Sequence, residues 1–135
     1  MEFKRTEEIN KYLLNKLSDV FESGIAGRLS TRYPSVADEN DRIIDLLNQL
    51  MNGEALDSSG VNACRNKVIS SGEAFTWEAI KLYLNIFELF EASIESSYDL
   101  TEYIYTALKR AHILNYMLIL DANKHNTIIA DWTEL

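Results

Sequence analysis

The two histidines are the first residues of this chain to consider for metal binding or catalysis. A carboxylate-bridged di-metal site in a helical bundle needs a glutamate three residues before a histidine on two helices, so that the ligands share one inward face. Lys109 stands three residues before His112, and Ala122 stands three residues before His125. The spacing therefore predicts no di-metal site. We expect His112, which lies beside Lys109 and Arg110, at a partly exposed basic rim.

Three short segments resemble functional motifs only superficially. Gly24 and Gly27 lack the lysine and hydroxyl residue that follow the glycines of a phosphate-binding loop, so we interpret them as a helix end and a turn. The acidic segment 38–45 has Ile43 where a calcium loop needs glycine. Cys64 has no sequence neighbour that would lower the pKa of its thiol, so we expect it to be a small packing residue.

Glu88, Glu91 and Glu95 could pair as a general acid and a general base. Their i, i+3, i+7 spacing is more typical of a solvated helix face. The sequence thus predicts no catalytic residue, no cofactor-binding residue and no metal ligand.

Acidic residues are concentrated in two parts of a chain whose formal net charge is −8. Arg42 is the only base between residues 35 and 59, and Lys81 is the only base between residues 73 and 108. The acids that we consider for partner binding are Asp38, Glu39, Asp41 and Asp45 in the first part and Glu88, Glu91, Glu95, Asp99 and Glu102 in the second.

This charge predicts a basic protein partner, because it repels nucleic acid and anionic membrane surfaces. If the second and fourth predicted helices lie side by side or flank one groove, their field would accelerate encounter with such a partner by roughly one to three orders of magnitude. The alternative is that the acids only keep the domain soluble.

Tyrosines accompany the second group of acids. Tyr98, Tyr103 and Tyr105 lie close in sequence to Asp99 and Glu102. Tyrosines beside carboxylates are good interface anchors, since they combine a large apolar area with a hydroxyl that can stay hydrogen-bonded. Completion of the core is the alternative role, above all for Tyr103.

Apolar residues recur at helical spacing over most of the 135 residues, which predicts an all-α, single-domain (1–135) bundle of about five helices. The first is expected from Thr6 to about Gly24, and the second from the acidic run 38–41 to Gly53. A third covers about 61–69. Two central apolar helices follow, at about 76–96 and 99–121.

The predicted inner face of the fourth helix comprises Ile80, Tyr83, Leu84, Phe87, Phe90 and Ile94, widened by Leu82, Ile86 and Leu89. The predicted inner face of the fifth comprises Leu100, Ile104, Ala107, Leu108, Ala111, Leu114 and Leu118.

The outer side of the fifth helix becomes apolar in its second half, at Ile113, Tyr116 and Leu120. We expect the tail 127–132 to fold back over these residues. The alternative is self-association through them and Trp132, as in a homodimer.

A cytoplasmic protein is expected from the remaining features of the sequence. Cys64 is the only cysteine, so no internal disulfide can form. The first residues carry charges where a signal peptide would be apolar, and the longest apolar stretches are too short to span a membrane.

The acidic segment 38–47 and the tyrosine-containing segment 98–103 resemble parts of the small acidic helical immunity proteins of bacteria. This resemblance implies a cytosolic, non-enzymatic antidote that binds one toxin domain, often a basic nuclease, through carboxylates and tyrosines. The paired-tyrosine turn next to proline of the colicin-DNase immunity family has no counterpart here, so no residue role is carried over.

Three functional hypotheses follow in order of preference. The first is a protein-binding module for a basic partner, such as a toxin-neutralising immunity protein. The second is a self-associating structural or regulatory protein. The third is an enzyme whose scattered catalytic residues form no recognisable motif.

Overall fold

Helical backbone covers most of the chain in the computed structural model, which describes residues 2–95 and 99–134, with side chains over 6–95 and 99–122. The elements are α1 (Glu2–Val20), a π-helical turn (Phe21–Ile25), α2 (Ala26–Arg32), a 3-10 turn (Pro34–Val36), α3 (Ala37–Met51), α4 (Ser58–Ile69), α5 (Trp77–Glu95) and α6 (Thr101–Glu134). Backbone dihedrals stay right-handed helical from α1 into α2, so these two form one rod. The predicted all-α bundle of about five helices is confirmed.

The predicted end of the first helix at Gly24 is wrong. The rod continues through this position, and the Ala26 N–H bonds the carbonyl oxygen of Phe21. A Cβ atom on Gly24 would lie 2.6 Å from Oδ1 of Asn115 on α6, so the glycine permits a close helix approach. The rod ends at Arg32, just before Pro34.

Two later connections follow the sequence prediction more closely. α3 stops before Gly53, which has φ +74, a conformation that favours glycine. α4 begins after Asp57, whose Oδ2 accepts a 3.0 Å hydrogen bond from the Gly60 N–H. Local turn and capping chemistry therefore sets these boundaries.

Helix directions follow from contacts between residues distant in sequence. Thr101 hydrogen-bonds Asn10, and Asn115 meets Gly24, so α6 runs parallel to the first rod. Ser18 hydrogen-bonds Asn48, while the start of α1 lies beside the end of α3, so these two helices are antiparallel. α5 packs on α6, and α4 lies against both α3 and α5.

The two central helices are as buried as their periodicity predicts, with three exceptions on α5. Every predicted inner residue of α6 is buried. On α5, Ile80 is only partly buried. Leu84 is 48% exposed and Ile94 is 37% exposed, so the predicted place of these two residues on the inner face is wrong. Leu84 lies seven residues, nearly two turns, after Trp77, which puts both on the outer side of the helix.

The predicted return of the tail over α6 is also wrong, because α6 continues as one helix to Glu134. The sequence from Thr101 to Glu134 contains neither proline nor glycine, so no strong helix breaker interrupts it. The side chain of Trp132 lies outside the described residues. No helix in the described part of the chain has the length and apolarity to cross a membrane.

Candidate partner-binding surface

One line of residues along the outer side of α5 combines apolar and acidic groups. We call it the α5 line; it comprises Trp77, Leu84, Glu88, Glu91 and Glu95. Successive members are three, four or seven residues apart, so at 100° per residue they share one side of the helix. Trp77 is 66% exposed, an unusual position for tryptophan. The line presents an apolar end and an acidic end.

Trp77 is held at the start of α5 by its neighbours. The Oγ1 of Thr76 accepts a hydrogen bond from the Ala79 N–H at 3.3 Å, which caps the helix. Nζ of Lys81 lies 5.1 Å from the centre of the Trp77 ring and 3.6 Å from Oε1 of Glu78. The indole is therefore exposed to solvent, and the capped helix start and the Lys81 contact fix its position.

The two cations of α4 contact the two acidic helices. Nε of Arg65 lies 3.6 Å from Oε1 of Glu91 on α5, and Nζ of Lys67 lies 3.3 Å from Oε1 of Glu39 on α3. Arg65 and Lys67 are two residues apart and so point to opposite sides of α4. α4 therefore lies against both acidic helices and forms one ion pair with each of them.

The predicted acidic residues of α3 have two different environments. Glu39 is only 5% exposed and is paired with Lys67, so it does not belong to an exposed surface. Asp38, Asp41 and Asp45 are exposed, and their spacing places them on one side of α3. These three aspartates form a second acidic face, on a different helix from the α5 line.

The tyrosine-rich start of α6 is exposed. The Oδ1 of Asp99 accepts a 3.0 Å hydrogen bond from the Thr101 N–H, and this bond lowers the pKa of the Asp99 carboxyl. Glu102 is exposed, Tyr103 is 41% exposed and Tyr105 is 52% exposed, so Tyr103 does not complete the core. Tyr98 lies outside the described residues.

Tyr105 has a cationic neighbour. Nζ of Lys109 lies 4.7 Å from the centre of its ring, an arrangement typical of a cation–π contact. This part of α6 therefore combines aromatic and basic groups, in contrast to the acidic end of the α5 line.

The late outer side of α6 is exposed as well. Ile113, Tyr116 and Leu120 are 45%, 63% and 46% exposed, and Met117 beside them is 40% exposed. We call these four residues the α6 stripe. The sequence prediction included three of them and missed Met117.

A buried polar network joins α2, α3 and α5. The Tyr83 hydroxyl donates a 2.7 Å hydrogen bond to Oδ1 of Asn40, and Nδ2 of Asn40 donates a 2.9 Å bond to Oγ of Ser30. Burial raises the pKa of Tyr83 well above its usual value. Because both polar ends of the Asn40 amide are bonded to protein groups, we assign the network to structure.

Cys64 is buried, as predicted for a packing residue. Its Sγ lies 3.7 Å from the carbonyl oxygen of Glu39. Burial, and secondarily the Glu39 charge, raises the pKa of the thiol to about 11. A thiol with this pKa is almost entirely protonated at neutral pH and so a poor nucleophile.

An open groove of about 460 Å³ lies where the start of α1 meets the end of α3. Its lining residues are Glu8, Lys11, Tyr12, Asn15, Met51 and Asn52. None of them belongs to the predicted surfaces. Among the residues with described side chains, no group of three or more histidine, cysteine or acidic residues could hold a metal ion, and His112 is exposed.

Over the residues whose side chains are described, the fold is an all-α helical bundle with two separate acidic faces and one apolar stripe on α6. Comparison of the chain with protein-family models, with characterised proteins and with solved structures gave no match.

Sequence reasoning missed Trp77 and Leu84 as surface residues, although one signal was available. Both fall on the line that Glu88 and Glu95 define at 100° per residue. An apolar residue in register with a row of solvated carboxylates indicates the outer side of a helix.

Proposed function

We propose that this protein is a non-enzymatic binding module that acts stoichiometrically on a basic protein partner. The supporting observation is the α5 line, where exposed Trp77 and Leu84 continue into the exposed carboxylates of Glu88 and Glu95. A bacterial, cytoplasmic immunity protein that neutralises a basic toxin domain is the most concrete form of this proposal.

The dimensions of the α5 line suit such a contact. Trp77 and Glu95 are 18 residues apart, which corresponds to about 27 Å along the helix. A protein interface of standard size, about 800 Å² per partner, has a diameter of comparable length. One helix face can therefore supply the centre of an interface.

The two ends of the α5 line would have different roles. Tryptophan is among the residues that most often dominate binding energy, so Trp77 would anchor the complex in a pocket of the partner. Glu88 and Glu95 would face lysine or arginine side chains and raise the association rate at low salt. Glu91 contributes less, because Arg65 already neutralises part of its charge.

The partner to test first is the product of the gene immediately upstream, because an antidote is expected directly after its toxin. Titration calorimetry of the purified pair should give a tight complex of one to one stoichiometry. The association rate measured by surface plasmon resonance should fall as salt is raised.

Matched variants separate the α5 line from general acidity. Trp77→Ala should weaken the complex at least about thirtyfold, since a hot-spot residue contributes about 2 kcal/mol or more and about 1.4 kcal/mol corresponds to tenfold. The pair Glu88→Gln and Glu95→Gln should slow association, whereas Asp38→Asn with Asp41→Asn removes the same charge from α3 and should leave the α5 contact intact. Absence of a complex would refute the proposal. An equal fall of the association rate in the α5 and α3 double variants would refute it too.

A further inference from the structure

The late part of α6 differs in charge from the rest of the molecule. From Tyr103 to Leu120 the sequence contains no acid and two bases, Lys109 and Arg110, although the chain has a formal net charge of −8. Two copies of the protein repel one another through their acidic faces. This repulsion is weaker at the outer side of α6 than at the acidic faces.

The α6 stripe occupies this acid-free side. Its members lie at positions 113, 116, 117 and 120, so the spacing along the helix is three, one and three residues. Each is between 40% and 63% exposed. Read from either end, the spacing is the same, with an aliphatic residue at both ends.

We propose that the α6 stripe binds the α6 stripe of a second copy, with the two helices antiparallel. A twofold axis between positions 116 and 117 places Ile113 of one copy opposite Leu120 of the other, and Tyr116 opposite Met117. Every stripe residue then meets an apolar residue, which is the self-complementarity that a twofold interface requires.

Charge favours the antiparallel arrangement over the parallel one. Lys109 and Arg110 precede the stripe, and Asp121 and Lys124 follow it. Antiparallel pairing brings Asp121 of one copy close to Arg110 of the other and places position 124 opposite Lys109, whereas parallel pairing places every one of these four charges beside its own copy. The Asp121 side chain is 66% exposed, and its 3.8 Å ion pair with Arg32 is solvent-exposed and therefore weak, so this carboxylate can turn to Arg110 of the other copy at little cost.

The contact is smaller than that of a permanent dimer. Residues 103–122 span about 30 Å of helix, but a single helix face buries less than the roughly 800 Å² per copy of a standard interface. We therefore expect a reversible dimer with a dissociation constant on the order of micromolar.

Sedimentation equilibrium with a matched pair of variants tests the surface. The wild-type protein should form a concentration-dependent dimer, and Tyr116→Glu should keep it monomeric at every concentration. Tyr12→Glu is the control, because Tyr12 on α1 is 61% exposed, close to the 63% of Tyr116. A wild-type monomer up to about 1 mM, a hundredfold and more above the expected dissociation constant, would overturn the proposal. So would equal loss of the dimer in both variants.

Disulfide trapping tests the orientation in a Cys64→Ala background, where an introduced cysteine is the sole thiol. Met117→Cys lies next to the twofold axis and should form an intermolecular disulfide under mild oxidation. Ile113→Cys alone should not, but mixed with Leu120→Cys it should give a crosslinked heterodimer. Efficient crosslinking of Ile113→Cys with itself would show a parallel pair and overturn the antiparallel arrangement.

Discussion

The hydroxyl of Tyr83 on α5 donates a 2.7 Å hydrogen bond to Oδ1 of Asn40 on α3, at a point where neither residue is accessible to solvent beyond 3%. The two positions are 43 residues apart in sequence. Since α4 separates much of α3 from α5, this bond is one of the direct connections between the two acidic helices.

Removal of the Tyr83 hydroxyl should destabilise the fold. Tyr83→Phe leaves Oδ1 of Asn40 buried without its donor, which should lower the free energy of unfolding by about 1–3 kcal/mol. The ring keeps its edge contact with Phe75, whose centre lies 5.4 Å away, so the loss reports mainly on the hydroxyl. Urea unfolding measures the difference. Tyr103→Phe, at an exposed site, should change the free energy of unfolding by less than about 0.5 kcal/mol. A loss as large as that of Tyr83→Phe would contradict the structural role of the buried hydroxyl.

The thiol of Cys64 should make stability fall at alkaline pH. Burial raises its pKa from 9.0 to about 11, so between these values the unfolded chain loses a proton that the folded chain retains. The stabilisation is complete below pH 9 and is lost as pH rises towards 11. The free energy of unfolding of wild type relative to Cys64→Ala should therefore drop by about 2 kcal/mol between pH 8 and pH 11.

This comparison removes most of the contribution of Tyr83, because burial is the main cause of its raised pKa in both proteins and destabilises both in the same direction above pH 10. A difference between wild type and Cys64→Ala that stays constant with pH would show that the thiol does not titrate in this way. Native protein at pH 8 should also react slowly with a thiol reagent and react fully in urea.

The core of α5 and α6 could be predicted from sequence because burial there follows a local rule. All seven predicted inner residues of α6 are buried, since a 100° period places them on one side whatever packs against them. The prediction for Leu84 is wrong because it follows the apolar character of this residue and not its register with Glu88. Hydrophobicity alone does not tell the two sides of a mostly apolar helix apart.

The candidate surface could be predicted only in part, because it depends on which helices are neighbours. The row of acids on α5 is visible in the sequence, but the position of α4 between α3 and α5 is not. The burial of Glu39 also depends on a neighbouring helix and could not be predicted from its local sequence. Its partner Lys67 lies 28 residues further along the chain, and no local pattern joins them.

The two cations of α4 should differ in their contribution to stability. Lys67 pairs with the carboxylate of Glu39, which is 6% exposed, whereas Arg65 pairs with the 43% exposed carboxylate of Glu91. Lys67→Ala leaves a mostly buried carboxylate without its cation and should cost about 1–3 kcal/mol of unfolding free energy. Arg65→Ala should cost about 0–1 kcal/mol. Thermal or urea unfolding of the two variants measures both losses. A larger loss of stability in Arg65→Ala than in Lys67→Ala would contradict the prediction.

Gly24 should respond to alanine in a way that depends on Asn115. Alanine has a higher helix propensity than glycine by about 1 kcal/mol, yet the added Cβ would lie 2.6 Å from the Asn115 Oδ1. Overpacking of this kind costs about 1–3 kcal/mol, so Gly24→Ala should be neutral or destabilising in the wild-type protein. With Asn115→Ala the obstructing atom is gone, and Gly24→Ala should then stabilise the fold by about 0.5–1 kcal/mol.

Gly27 provides the control for this reversal of sign. It lies in the same rod, and a Cβ there would meet no heavy atom within 4 Å. Gly27→Ala should stabilise by the same amount, about 1 kcal/mol, with and without Asn115. A double-mutant cycle by urea unfolding measures the coupling. If Gly24→Ala stabilised the wild-type protein as much as Gly27→Ala does, the close approach of α6 would not explain the glycine at position 24.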